Sequence, residues 1–264
     1  MRHLLIPFAI AILAPTTALA EDRVLLDVKE VDLDYGRLHI MANLVGYEFA
    51  GRGDGFNSSA HALFEVGDSM SVRAHVSMPL IGFLANTSAP VRLEAAVDFH
   101  TTKNEVKTEQ LVLDSEIKGE MLHTTSVNVP VQHKISTGLA AGVIYRDTPV
   151  SQDADEATPR SRHLTAILGL QMIDASGGDV KVKGYNRSFF EHRWTVAGLD
   201  LLYDVVQDFD VSPSKAPGKF GGRLWAEVIL GKKVGMSGRI DLGYMPGGTG
   251  LYFVIGLGGG FHLL

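Results

Sequence analysis

His75 and Ser77 stand two residues apart, and so do Asp98 and His100. Serine, imidazole and carboxylate are the parts of a relay in which the ring takes the hydroxyl proton and the carboxylate orients the ring. Residues two apart share one face of a β-strand, so two neighbouring strands in a suitable register would assemble such a group. The ordinary reading of the same residues is a polar face whose side chains bond to each other and to water. A chain with ten histidines has many such faces, and no catalytic residue is assigned.

Metal and cofactor chemistry has less support. No His-x-His or His-Glu-x-x-His spacing occurs, so the commonest imidazole ligand patterns are missing. Asp153, Asp155 and Glu156 lack the full calcium-loop pattern and read as a solvated acidic loop. The absence of cysteine removes thiolate metal sites, a cysteine nucleophile, a disulfide scaffold and a lipid-anchoring cysteine. Arg52-Gly53-Asp54 matches an integrin tripeptide, but its Gly-Arg-Gly-Asp-Gly setting reads as a turn. Gly256, Gly258, Gly259 and Gly260 match a phosphate loop in composition only; on a strand they let neighbouring backbones approach or bend the wall. No cofactor and no metal are expected.

A broader set of charged residues falls into a pattern. Arg73, His75, Arg92, Glu94, Asp98, His100, Arg223, Glu227, Arg239 and Asp241 all occupy the polar side of alternating stretches, as do Arg37, Lys134 and Arg146. The first ten are the candidate binding residues. Mixed in sign, they would pair across strands into a ladder that either plugs a narrow lumen or, in a wider one, sets ion preference.

The elements that position them have a period of two. In Met70–Leu80 the residues Met70, Val72, Ala74, Val76, Met78 and Leu80 alternate with Ser71, Arg73, His75, Ser77 and Pro79. Val91, Leu93, Ala95, Val97 and Phe99 alternate with Arg92, Glu94, Ala96, Asp98 and His100. The same pattern runs through 38–44, 164–172, 224–230, 234–242 and 251–263, and more weakly through 24–28, 106–113, 126–131, 135–146, 180–189 and 194–203. Gly67-Asp68 and Gly231-Lys232 leave room only for tight hairpins, and Lys103-Asn104-Glu105 reads as another short turn. Longer loops are expected at 50–57, 81–90, 147–162 and 207–221.

Composition and address bound the class. Hydrophobic residues at 45% and charged residues at 20% exclude disorder over most of the chain. A net charge of −6 argues against nucleic acid as a partner. Residues 1–20 read as a signal peptide: Arg2 and His3, an apolar run from Leu4 to Ala14, and Ala18-Leu19-Ala20 before the cut. No later stretch holds 18 consecutive apolar residues, so no transmembrane helix is expected. Residues 21–264 read as a single β domain.

Alternation alone does not say which face meets water. Several runs keep it for about 9–13 residues, nearer the roughly 9–11 of a tilted bilayer-crossing strand than the 5–6 of a globular one. Aromatic residues collect near strand ends: Tyr47, Phe49, Phe56, Phe83, Phe99, Tyr145, Phe189, Phe190, Trp194, Tyr203, Phe220, Tyr244, Tyr252 and Phe261. Together with the leader and a last strand that runs to Phe261-His262-Leu263-Leu264, these features resemble those of bacterial outer-membrane β-barrel proteins over roughly Arg37–Leu264. The resemblance is at the level of class, and the final residue is leucine where that class usually ends in an aromatic. It implies an all-β, antiparallel transmembrane barrel of about 12 strands (10–14), closed because an open edge in hydrocarbon leaves backbone groups unpaired. It further implies outer-membrane lipid and the barrel-assembly machinery as partners, and places 147–162 at the end away from the C-terminus. A small channel or structural envelope component is the expected function. The alternatives are a lipid-modifying barrel enzyme and a soluble exported β protein binding an apolar ligand.

Overall fold

The structure, a computed structural model, describes residues 26–29, 31, 33, 35–50, 55–79, 91–118, 121–149, 159–183, 187–211, 213, 217–247 and 250–263. The signal peptide expected at 1–20, Arg52-Gly53-Asp54, Phe83 and the 153–156 acidic cluster lie outside them, as do the side chains of Phe49, Phe56, Phe189 and Phe190.

All regular structure among the described residues is strand. In chain order the strands are β1 (Leu26–Lys29), β2 (Leu38–Ala50), β3 (Gly55–Val66), β4 (Met70–Pro79), β5 (Val91–Lys118), β6 (Met121–Pro149), β7 (Arg160–Val182), β8 (Arg187–Phe209), β9 (Phe220–Leu230), β10 (Val234–Met245) and β11 (Gly250–Leu263). From β2 onward each strand pairs antiparallel with the next, and β11 pairs back onto β2. The result is a closed up-and-down barrel of ten strands, which has no edge to leave unpaired through its ringed height. The strand ends joined by the short connections (67–69, 119–120, 183–186, 231–233) share one end with Leu26 and Leu263, here the terminal end. The connections 51–54, 80–90, 150–159, 210–219 and 246–249 lie at the other, the loop end. The ends of the 147–162 segment, at Pro149 and Arg160, therefore lie away from Leu263, as expected once one weak run is dropped from the strand count.

The faces are inverted relative to a globular protein. Leu168, Leu199 and Leu257 are 59%, 53% and 64% exposed, whereas Arg73, Asp200 and Glu227 are 2%, 0% and 1% exposed. In β4, Ser71, Arg73 and His75 are buried while Val72 and Ala74 face out; in β7, His163, Thr165 and Gln171 are inside while Leu164, Leu168, Leu170 and Met172 are outside. Apolar outside and polar inside is the arrangement of a barrel solvated by lipid tails. Tyr47, Tyr145, Tyr203, Phe220 and Tyr244 point outward near the loop end, and Phe64 and Phe99 near the terminal end. This is the placing of amphipathic rings at two interfaces. Trp194 and Tyr252 depart from the rim expectation: both are buried inside, where each indole or phenol finds packing and polar partners.

Several expectations are corrected. Lys103-Asn104-Glu105 is no turn; it continues β5, paired with Ile135, Lys134 and His133 of β6. Residues 100–105 are polar on both sides because β5 there leaves the apolar band, not because the chain reverses. The 180–189 stretch is no single strand, since the β7–β8 hairpin turns within it. The 50–57 loop shrinks to 51–54, because β3 begins at Gly55; Ser58, Ser59, Ala60 and Ala62 are too small to show alternation. Merging the paired runs brings the strand number to the ten of the ring. The 24–28 run is realised as β1, outside the ring and paired with β7.

The segment after β1 explains the terminal mouth. β1 lies on β7, and β2 is five strands away around the ring, so the described residues between them, Val31, Leu33 and 35–37, lie across the opening. Val31 and Tyr35 are buried there, and Leu33 packs with Met41, Leu63, Trp194 and Trp225 inside the barrel. Outside it, β5–β6 leaves the wall after Gln132↔Gly177. Val129 and Val131, on the outer face of β6, bury against Val180 on the outer face of β7 and against Leu26 of β1.

Candidate functional site

The polar residues gather within the lumen in three levels. At mid-height, Arg223 of β9 donates through Nε to Asp200 of β8 at 2.6 Å and through both Nη groups to Glu94 of β5 at 2.6 and 2.5 Å. β5 and β9 are four strands apart, so this fork spans the lumen. Arg73 of β4 lies 3.7–3.8 Å from Glu94, Asp98 and Asp200, with its guanidinium 4.7 Å over the Trp225 ring. Arg92 of β5 reaches Asp241 of β10 at 3.5 Å, diametrically across the ring. Arg239 pairs with Glu227 and donates to Asp241 at 3.0 Å, and the Tyr252 hydroxyl donates to Asp241 at 2.6 Å. His61 of β3 pairs with Glu227. Buried charges are tolerable only when opposed, and here four guanidinium groups interleave with five carboxylates: Arg223 and Arg239 through hydrogen bonds, Arg73 and Arg92 through charge at 3.5–3.8 Å.

Eight of the ten sequence-predicted residues thus meet in one network: Arg73, Arg92, Glu94, Asp98, Arg223, Glu227, Arg239 and Asp241. His75 sits at its margin, opposite Glu94 in register and edge-on to His61 at 6.2 Å. His100 is half-buried beyond the last β4 pair, opposite Gly138 of β6. The Ser–His–Asp arrangement is not assembled. Ser77 faces Arg92, His75 faces Glu94, and Asp98 accepts from Ser71 at 3.5 Å. Sequence reasoning missed Asp200, Trp225 and His61 as members of the network. Asp200 shares its parity with Trp194, Val196 and Leu202, so β8 carries apolar residues on both faces and its inward side was unreadable.

Trp225 needs a matching gap in the wall. A Cβ placed at Gly198 of β8 would lie 2.5–2.7 Å from the indole, closer than packed atoms approach. Gly198→Val is expected to cost about 1–3 kcal/mol by overpacking, read as a lower urea midpoint of the detergent-folded chain. An unchanged midpoint would mean that the indole does not fill this gap.

At the loop end, Arg146 donates to Asp204 at 3.2 Å and to the Pro246 carbonyl at 2.9 Å. His163 Nδ1 and Gln207 Nε2 lie 2.8 and 3.1 Å from Asp204 Oδ2, and the Thr165 hydroxyl donates to the other oxygen. Met245 and Pro246 are buried, so this connection folds inward over the mouth. Beyond the barrel, the backbone N–H of Arg160 and the Arg162 guanidinium hold Asp210 below the usual carboxylate range.

At the terminal end, the Tyr35 hydroxyl donates to the Ser176 carbonyl at 2.6 Å. His39 and His262 oppose their Nδ1 atoms at 2.6 Å, one imidazole donating to the other, with His39 Nε2 3.1 Å from Glu65. His39 also stacks on Trp194, with ring centres 4.5 Å apart. A cavity of about 210 Å³ remains beside Leu33 and Tyr35, bounded by Glu65, Lys134 and Trp194. Among the described residues, no group of three or more potential ligands is arranged for a metal ion.

No protein-family model matches the chain, and no curated protein matches it. Among solved structures, it is similar to the translocator domain of the autotransporter NalP from Neisseria meningitidis, at 11% identity over 86% of this chain and 88% of that one, with a TM-score of 0.31. It is also similar to OmpT, an outer membrane protein of Vibrio cholerae, at 10% identity over 90% of this chain and all of that one, with a TM-score of 0.20. A loop L8 deletion mutant of that OmpT matches at 12% identity over 92% and 100%, with a TM-score of 0.21. No residue role transfers at these values. The class of the fold follows from the closed ring of strands and its inverted faces.

Proposed function

We propose that this chain is a closed outer-membrane β-barrel, a structural component of the envelope that does not conduct ions. The reading rests on one observation: Arg223–Glu94 and Arg92–Asp241 tie opposite walls together across the lumen. An ion entering the lumen would have to part these buried, opposed charges, and removal of one partner from such a pair costs several kcal/mol. The segment through Leu33 and Tyr35 supports the same reading at the terminal mouth, and the inward Pro246 connection supports it at the other. The outward strip of β11, with Leu251, Ile255, Leu257 and Leu263 exposed, suits contact with lipid and with the machinery that inserts barrels.

The test is single-channel recording of purified chain in a planar bilayer. The expected result is a flat baseline, with discrete steps appearing in the Glu94→Ala/Arg223→Ala double variant. Sustained steps in the unaltered chain would replace this reading with a channel.

A further inference from the structure

Arg37 and Lys134 follow the same charged pattern as the lumen residues, yet neither joins their network. Both line the cavity of about 210 Å³ at the terminal mouth. Its place follows from the path of the chain. β6 leaves the wall at Gln132, two residues before Lys134. The segment through Leu33 and Tyr35 is held toward β7 and β8, where the Tyr35 hydroxyl meets the Ser176 carbonyl and His192 Nδ1. The cavity lies between that segment and β6, and the β3–β4 turn at Gly67-Asp68 bounds it toward solvent.

Charges of both signs face this space without pairing across it. Lys134, half-buried on the inward face of β6, has no ion pair or hydrogen bond among the described residues. Glu65, the last inward residue of β3, has His39 Nε2 on one oxygen at 3.1 Å and no partner on the other among the described residues. Arg37 and Asp68 are exposed at the rim, and their side chains are likewise unpaired among the described residues. His100 is within electrostatic reach of Glu65 and Lys134 but does not line the space. Two cations and two anions make the cavity neutral in sum while keeping its signs apart. An ion of either sign would satisfy one wall and be repelled by the other. A molecule with an ammonium and a carboxylate on one carbon satisfies both. The remaining wall is apolar, formed by Leu33, Ile173, Ala175 and Trp194. About 150 Å³ is enough to admit benzene, so this cavity has room for an aliphatic side chain beside the two charged groups.

We propose that the terminal mouth binds a free α-amino acid with an aliphatic side chain. The carboxylate lies at Lys134 and Arg37, the ammonium at Glu65 and Asp68, and the side chain against Trp194 and Ile173. The site is on the terminal side of the mid-lumen ion pairs, so binding requires no passage through the barrel. It holds whether or not the lumen conducts.

The test is isothermal titration calorimetry of the full chain folded in detergent, with folding of each variant verified by heat-dependent gel mobility. The ligands are leucine, 4-methylpentanoate, which lacks the ammonium, and 3-methylbutylamine, which lacks the carboxylate. Leucine is expected to bind at least about tenfold more tightly than either analogue, the worth of one charge-assisted hydrogen bond. Glycine, without the side chain, should bind about tenfold more weakly than leucine. Lys134→Met should weaken leucine about tenfold and leave 3-methylbutylamine no weaker. Glu65→Gln, which keeps an acceptor for His39, should weaken leucine similarly and leave 4-methylpentanoate no weaker. Absence of leucine binding at millimolar concentration overturns the proposal. So do analogues that bind as tightly as leucine, or substitutions that weaken the singly charged ligands as much as leucine.

Discussion

Arg223→Ala is expected to lower the unfolding free energy by about 3–5 kcal/mol, the range for removing one partner from a buried ion pair. The side chain serves two carboxylates on different strands: Glu94, through both Nη groups, and Asp200, through Nε. Its loss leaves both acids in the lumen, Glu94 with Arg92 at 3.6 Å and Arg73 at 3.8 Å, and Asp200 with Arg73 at 3.7 Å. Urea titration of the micelle-folded chain would measure the change, and tryptophan emission is a suitable probe. The chain has two tryptophans, and both are buried inside the barrel, with Trp225 donating to Asp200 at 3.0 Å. Removing Glu94 as well should cost less than the sum of the single losses, because the second change relieves an unpaired carboxylate. Arg223→Met/Glu94→Leu, which replaces the pair by packed apolar volume, should recover much of the stability while still lowering charge in the lumen. A loss below about 1 kcal/mol for Arg223→Ala would be the value of a solvated surface pair. It would mean that water, rather than side chains, fills the mid-lumen.

This network also marks what could be read from the chain. Where one face is apolar and the other charged, as in β4, β5, β9 and β10, alternation gave the strand and its charged side, and strand length with the aromatic rims turned that side inward. Arg73, Glu94, Arg223 and Asp241 are therefore found where the period of two placed them. Where both faces are apolar the same reasoning is blind, since Asp200 sits in a row with Trp194 and Leu202. Small residues hide β3, because serine and alanine suit either face. Polar residues on both sides hide the continuity of β5 through Lys103–Glu105, where the strand has left the apolar band and nothing selects one face. Partners are the last thing a period can reveal. Parity puts Glu94 inside, but its pairing with Arg223 depends on the shear with which the ring closes, and that is a property of all ten strands together. His75, Ser77 and Asp98 show the same limit: they share a side of the wall, yet the register opposes them to Glu94, Arg92 and Ser71.

The outer surface carries the second large expectation. Val76 and Val97 point outward on neighbouring strands, within the rows Val72–Ala74–Val76–Met78 and Leu93–Ala95–Val97–Phe99. If hydrocarbon covers these rows, arginine at either position must take its charge out of water. The cost is about 2–4 kcal/mol at the bilayer midplane, falling to roughly 0–1 near the interfaces. Val76→Arg and Val97→Arg should accordingly lower the unfolding free energy in vesicles and slow insertion. Val112→Arg should change little, since Val112 lies in the β5 extension past the last β4 contact. The comparison separates two explanations of one exposed apolar surface. A water-soluble barrel whose outer face is bare would accept all three substitutions alike, because arginine on a wet strand is nearly neutral. A lipid-covered barrel discriminates by depth, and the discrimination should vanish when the same variants are unfolded from a detergent whose micelle admits water at the rim. Equal stability of Val76→Arg, Val97→Arg and Val112→Arg in vesicles would therefore remove lipid from the outer face, and with it the reason for the charges to be inside.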